Sequence, residues 1–134
     1  MSLQPLFEAV PPIPLHALAA IAAFVLGMVQ LLAPKGTLPH RTLGWIWVAL
    51  MMTVAISSFW IHGHNFRLWR NFSPIHLLSI ATPLMLLLAV FGARRHAVRA
   101  HAITMISIFT GALVVAGLFT LVPGRIMHTV AFGP

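Results

Sequence analysis

Long apolar stretches dominate the chain. Four of them contain no Asp, Glu, Lys or Arg and cover residues 14–32, 43–61, 75–91 and 102–122. A bilayer core about 30 Å thick is crossed by roughly 20 apolar residues in a helix, so each stretch is long enough to span it. Hydrocarbon offers no partner for an unpaired backbone group, which favours a continuous helix in every span. The pattern predicts an all-α, four-helix transmembrane bundle of up-down-up-down topology, with residues 1–134 as a single membrane domain.

The composition indicates that lipid, and not water, surrounds most of the chain. Apolar residues make up 60% of the 134, and charged residues only 7%, whereas a soluble domain carries about 25% charged residues. The mean hydropathy is +0.97. The formal net charge of +7 comes from Lys and Arg in the connections, so membrane topology explains it and no nucleic-acid partner is expected. Cysteine is absent, which excludes disulfides, iron–sulfur clusters and thiolate ligands.

The basic residues are divided unevenly between the two sides of the predicted bundle. Three lie on the side of the two termini, and five lie on the opposite side. The positive-inside rule places the five-residue side in the cytoplasm. We therefore predict a multi-pass membrane protein with both termini outside the cytoplasm. The five residues of the cytoplasmic side are Lys35, Arg41, Arg94, Arg95 and Arg99.

The two halves of the chain begin alike. A proline–x–histidine triplet begins span one at 14–16 and recurs at the start of span three at 74–76. In the first half another histidine follows after 24 residues, and in the second half after 25. Two matching intervals indicate a parallel duplication of a helical hairpin, because each unit contains two spans.

Four histidines occupy the span starts and so pair by membrane depth. His16 and His76 begin spans one and three, which are diagonal in such a bundle, and His40 and His101 begin spans two and four. Low-spin haem iron takes two axial nitrogens from opposite sides of a flat ring, and facing helices supply them. The layout predicts two haem b groups, one held by His16 with His76 and the other by His40 with His101.

Three further residues are predicted to contact the haem groups. Gly44 lies four residues after His40, on the same helix face, and leaves room for a ring plane. Arg41 and Arg125 lie near opposite surfaces and are placed to pair with propionates. The alternative interpretation is that histidines at span ends are interfacial anchors and that small residues merely pack membrane helices. The paired arrangement of four histidines favours a cofactor.

A second histidine group lies on the side of the termini. His62 and His64, together with His128, form an alternative site for copper or zinc, although loop histidines are more often solvated. His96 lies in a basic turn and is predicted to be a surface residue. All four tryptophans lie near span ends and are predicted at the membrane–water interface: Trp45, Trp47, Trp60 and Trp69.

Three short sequence motifs are similar to those of a known family. They are SFWI at 58–61, FSPIHLLS at 72–79 and AGLFTLVPGR at 116–125. The chain resembles, over nearly its whole length, a bacterial family described only as predicted membrane protein, a domain of unknown function. The resemblance implies a compact four-helix membrane protein and brings no activity with it. The histidine layout is similar to that of di-haem transmembrane b-type cytochromes in arrangement alone.

The function that these observations favour is a membrane di-haem b-type cytochrome. It would transfer electrons across the bilayer as an oxidoreductase, with a quinone or a small oxidant as partner. Two alternatives remain, a non-redox transporter or assembly subunit and a metal-binding membrane protein. The lack of acids in the spans counts against a carboxylate-driven transporter. The sequence leaves open the number of haems, the electron donor and acceptor, the potentials and the oligomeric state.

Overall fold

The computed structural model describes residues 1–61 and 74–134. Within these residues, four helical spans are long and apolar enough to cross a membrane. The fourth span, Val98–Thr120, is made of three consecutive helical pieces. The predicted all-α, four-span architecture is confirmed. The elements are α1 (Gln4–Phe7), α2 (Ile13–Leu32), α3 (Leu38–Ser58), α4 (Pro74–Arg94), α5 (Val98–Ile108), a π-helical segment (Phe109–Val115), α6 (Ala116–Thr120) and α7 (Ile126–Phe132).

The start of α3 lies five residues before the predicted span, because a polar first turn begins the helix. Thr37 is its N-cap residue, and its Oγ1 accepts a hydrogen bond from the backbone N–H of His40 at 3.3 Å. Pro39 lies in the first turn, where a missing N–H costs nothing. Arg41 belongs to the same turn. Because Arg41 is charged, the uncharged stretch that predicts the span begins only after it.

Consecutive spans are antiparallel, as contacts between their ends show. His16, at the start of α2, contacts Ser57 at the end of α3, whereas Gln30, at the end of α2, contacts the first turn of α3. Helix α4 packs against both α3 and α5, and the π-helical segment packs back against α2. The four spans therefore close into a bundle in which α2 lies diagonal to α4, and α3 diagonal to α5.

One apolar cluster fills the middle depth of the bundle and draws on all four spans. Within it, the Trp47 indole Nε1–H donates to the backbone carbonyl of Ala23 at 2.9 Å. The Phe109 ring stacks on Phe24 with 5.5 Å between centroids. We call this cluster the middle layer, and its buried members are Ala23, Trp47, Met51, Leu86, Ile108, Phe109 and Leu113.

Two features of the middle layer differ from the sequence prediction. Trp47 is only 2% exposed and belongs to the core, so its predicted interfacial position is wrong. Because α3 begins at Leu38, Trp47 lies about two and a half turns inside the helix. The fourth span is also not a continuous α-helix, since the π-helical segment interrupts it. Phe109 and Leu113 of this segment are both buried in the middle layer.

The two terminal helices cover one end of the bundle. Leu6 of α1 is fully buried in a small cluster with Ala17 of α2 and Val130 of α7. The backbone N–H of Ser2 also donates to the carbonyl of Val130 at 3.3 Å. Both termini therefore lie at the same end. We call it the cap end, and we call the opposite end, where the chain turns at 33–37 and 95–97, the turn end.

Candidate functional site

His16 lies at the cap end with its ring tautomer fixed by a serine. Its Nδ1 is 3.0 Å from Ser57 Oγ. The Ser57 hydroxyl hydrogen is itself directed to the backbone carbonyl of Thr53, at 2.6 Å, a bond that serines within helices commonly make. The serine oxygen therefore accepts and the histidine Nδ1–H donates. With Nδ1 protonated, the Nε2 of the neutral imidazole keeps its lone pair for another partner.

Buried hydroxyl groups extend from this contact towards His76. Ser58 Oγ of α3 contacts Ser79 Oγ of α4, and Ser79 also donates to the backbone carbonyl of Ile75 at 2.7 Å. His76 lies one turn before Ser79, with its ring centroid 6.2 Å from that of Phe59. His16 and His76 thus lie at the same end, on diagonal helices. The buried polar residues of this end are Ser57, Ser58, Ser79 and Thr82.

His101 lies at the turn end, and a backbone carbonyl fixes its tautomer. Its Nδ1 is 2.8 Å from the carbonyl oxygen of Ala89 on α4. A carbonyl can only accept, so Nδ1 carries the hydrogen and Nε2 keeps the lone pair. The two helices are in contact here, because a Cβ on Gly92 would lie 3.4 Å from the backbone nitrogen of His101. Close packing of α4 on α5 therefore positions the ring.

His40 lies at the same end, within electrostatic range of His101. The Gln30 side-chain Nε2–H donates to the His40 backbone carbonyl at 2.9 Å. Among the described residues, however, neither Gln30 Oε1 nor His40 Nδ1 has a hydrogen-bond partner, although both atoms are buried. Buried polar atoms in proteins are nearly always hydrogen-bonded. The hydrogen bonding around Gln30 and His40 is therefore incomplete among the described residues.

The two histidine groups are separated by depth. His16 and Gln30 are 14 residues apart on α2, which corresponds to about 21 Å of helix rise and nearly four full turns, so both side chains face α3. The middle layer lies between them. We call His16, His76 and the buried hydroxyls the cap-end layer, and Gln30, His40 and His101 the turn-end layer.

The chemistry of these histidines matches that of imidazole ligands of haem iron. Iron binds neutral imidazole, and ligating histidines usually donate their other N–H to a carbonyl or a similar acceptor. His16 and His101 each have this second bond in place, one in either layer. The remaining two histidines lie at the matching ends of the diagonal helices. The arrangement can therefore present imidazole nitrogens at two depths.

The flanking residues predicted for haem lie at the expected ends. Arg41 is exposed in the first turn of α3 at the turn end, and Arg125 is exposed just before α7 at the cap end. Gly44 is close to Gln30, whose Nε2 would lie 3.4 Å from a Cβ added there. Their contacts with propionates and a ring plane stay predictions.

The alternative histidine group is described only in part. His128 lies in α7 at the cap end, 5.1 Å from the Phe132 ring between centroids. His62 and His64 fall outside the described residues, so a copper or zinc site with His128 stays a prediction. Across residues 1–61 and 74–134, no group of three or more His, Cys, Asp or Glu is placed to hold a metal ion. His96 is exposed in its turn, as predicted for a surface residue.

Sequence reasoning missed two polar residues of the candidate site, Gln30 and Ser57. A signal for Gln30 was present, since it is the only carboxamide in the four predicted spans and buried polar groups in a bilayer need partners. Ser57 gave a weaker signal, because serine often bonds its own helix and is common at packing contacts. Only the helix register identifies it as the partner of His16.

Comparison with known proteins places the chain in a family and adds no activity. A family model described as "Predicted membrane protein (DUF2306)" matches residues 13–132. Searches of curated proteins and of solved structures gave no significant match.

Proposed function

The chain belongs to the DUF2306 family of predicted membrane proteins, and from this premise we propose that it is a di-haem b-type cytochrome that carries electrons across the bilayer. His16 with His76 would hold a haem at the cap end, and His40 with His101 would hold one at the turn end. When bound, haem supplies an iron that gains and loses single electrons. The roles of the chain are to hold the two groups and to keep water from the space between them.

The observation that carries the proposal is the hydrogen-bond contact that Nδ1 makes in both His16 and His101. In each ring Nδ1 has a hydrogen-bond partner, Ser57 Oγ in one and the Ala89 carbonyl in the other, and Nε2 is then available to a metal. An interfacial anchor would instead direct its polar nitrogens to water and headgroups. An outer hydrogen bond of this kind orients a metal-binding imidazole and raises its basicity. The same chemistry therefore recurs at both depths.

The middle layer favours electron transfer over the transporter alternative. Ala23 and Met51 are fully buried there, Leu86 is 1% exposed, and the only side-chain N–H of the cluster, on Trp47, is bound to a carbonyl. An ion or a polar solute crossing the bundle would have to pass this apolar layer, where desolvation is costly. Electrons cross such a layer without a water-filled path.

Two further parts of the proposal concern partners and orientation. With all four histidines holding haem, the chain would exchange electrons with a quinone or a small oxidant as partner. The cap end carries both termini, and the turn end carries Lys35, Arg41 and Arg94. Basic residues favour the cytoplasm, which supports a bacterial inner-membrane protein with periplasmic termini.

An optical spectrum of the purified protein tests the proposal. The full chain would be produced with an ample haem supply, purified in detergent, and measured as a reduced-minus-oxidised difference spectrum. We expect the sharp bands of low-spin b-type haem and two haems for each chain by pyridine haemochromogen assay. A folded, helical and colourless protein under these conditions would contradict the proposal.

A further inference from the structure

The turn-end layer contains two buried polar atoms that complement one another. Gln30 Oε1 can only accept a hydrogen bond, and His40 Nδ1 can donate one. Among the described residues both atoms lack a partner, yet their residues are already in contact, since Gln30 Nε2 donates to the His40 carbonyl at 2.9 Å. One hydrogen bond between the two unpartnered atoms would satisfy both.

The local packing holds the carboxamide beside the first turn of α3, next to His40. Its Nε2 is tied to the first turn of α3, so the amide group cannot turn away without losing that contact. Gly44 lies against the carboxamide, because a Cβ there would be 3.4 Å from the same Nε2, at ordinary contact distance. In the bilayer an unpaired carboxamide is costly. Gln30 therefore has both a fixed position and an acceptor without a donor.

We infer that Gln30 is the positioning residue for His40, accepting a hydrogen bond from its Nδ1–H and so keeping Nε2 free as an iron ligand. The inference rests on the proposed cytochrome function, and it adds a residue that the histidine layout alone does not indicate. It gives His40 the kind of outer partner that His16 has in Ser57 and His101 has in the Ala89 carbonyl.

The expected consequence is a change in the electron affinity of one haem only. An acceptor on the outer N–H makes a ligating imidazole more basic, which stabilises ferric iron. Gln30→Glu strengthens the acceptor and should lower the midpoint potential of one haem. Gln30→Leu removes it and should raise the potential of the same haem. A residue that merely packs the helix end would not produce opposite shifts in the two variants.

The test is a redox titration of the wild type, both Gln30 variants and Leu31→Met in detergent. Leu31 is the adjacent residue and its side chain is 40% exposed, so the control should leave both potentials unchanged. Opposite shifts of one haem in the Glu and Leu variants support the inference. Unchanged potentials in both, in variants that keep the wild-type helix content, overturn it.

A haem-free measurement separates this inference from the cytochrome proposal. In protein prepared without haem, nitrogen-15 NMR of the His40 ring should show Nδ1–H in the wild type and Nε2–H in Gln30→Leu. The same tautomer in both would overturn the hydrogen bond, whether or not haem binds. A tautomer that depends on Gln30, in a chain that binds no haem when it is supplied, would support the hydrogen bond and contradict the cytochrome.

Discussion

The two histidine layers satisfy their polar groups in different ways. At the cap end, the Ser57 hydroxyl donates a hydrogen bond to a carbonyl of its own helix and accepts one from His16. The polar groups of this contact between α2 and α3 are therefore all hydrogen-bonded. At the turn end, the Gln30 Nε2–H donates to the backbone carbonyl of His40 in α3. The Gln30 Oε1 and the nearby His40 Nδ1 have no hydrogen-bond partner among the described residues.

The difference follows from the chemistry of the two side chains. A hydroxyl has one hydrogen and can direct it to a carbonyl of its own helix, which leaves the oxygen as an acceptor. A carboxamide has separate donor and acceptor atoms, and its oxygen needs a donor from elsewhere. In the cap-end layer the contact between His16 and Ser57 is already hydrogen-bonded. In the turn-end layer, Gln30 Oε1 and His40 Nδ1 would gain a partner by bonding to each other. We therefore expect the cap-end haem to bind more tightly.

The largest expected effect comes from removing a ligand of the turn-end layer. His101→Ala removes one of the two histidines that would hold the turn-end haem, so the chain should bind one haem in place of two, with the remaining haem spectrally unchanged. The measurement is the haem content per chain by pyridine haemochromogen assay. His96→Ala, an exposed histidine at the same end, is the control and should keep both haems. Loss of both haems from His101→Ala would contradict the separation of the layers.

Most of the architecture follows from the sequence, because the bilayer imposes it. Uncharged stretches of sufficient length must form helices, and short turns make consecutive spans antiparallel. The pairing of histidines by depth follows from the same two facts. For this reason His16 and His76 lie at one end and His40 and His101 at the other, as the span starts predict.

The rest depends on packing between helices, which the sequence pattern does not contain. Trp47 looks like an interfacial residue until the start of α3 at Leu38 is known. The π-helical segment contains no proline that would indicate an interruption of the α-helix from the sequence. Ser57 and Gln30 become site residues only when the register of α2 against α3 is fixed, since each lies opposite a histidine of the other helix.

The second prediction concerns the middle layer, which keeps the two histidine layers apart. A Cβ at Gly27 would lie 2.6 Å from the Phe109 ring and 3.0 Å from Trp47 Nε1, so Gly27→Ala forces the core to shift. Overpacking of this kind costs about 1–3 kcal/mol. The free energy of unfolding in mixed detergent micelles would measure it. Gly117→Ala is the control, because a Cβ there meets nothing within 4 Å. An unchanged stability of Gly27→Ala would show that the middle layer is loosely packed.

The third prediction sharpens the comparison at the cap end. Ser57→Ala removes the acceptor for His16 Nδ1–H, and we expect haem affinity to fall about tenfold in the cap-end layer alone, as for other outer-sphere partners. Haem titration of the purified variant would measure it. Ser107→Ala is the matched control, since Ser107 also donates to its own helix, at 2.8 Å, but is exposed. A loss confined to the turn-end haem would mean that the ligand pairs are assigned wrongly.

The smallest expected effect separates stability from cofactor binding. Trp47→Phe keeps an aromatic ring in the middle layer, and it removes the indole N–H that donates to the Ala23 carbonyl together with part of the ring volume. That carbonyl lies inside α2 and retains its helical partner, so the lost hydrogen bond itself is expected to cost about 1 kcal/mol of unfolding free energy. Both haems should stay bound, because the indole contacts neither proposed ligand pair. Trp45→Phe, whose ring is 58% exposed, should leave the stability unchanged. A shift in the spectrum of either haem in Trp47→Phe would mean that the middle layer contacts that haem and does not merely separate the two histidine layers.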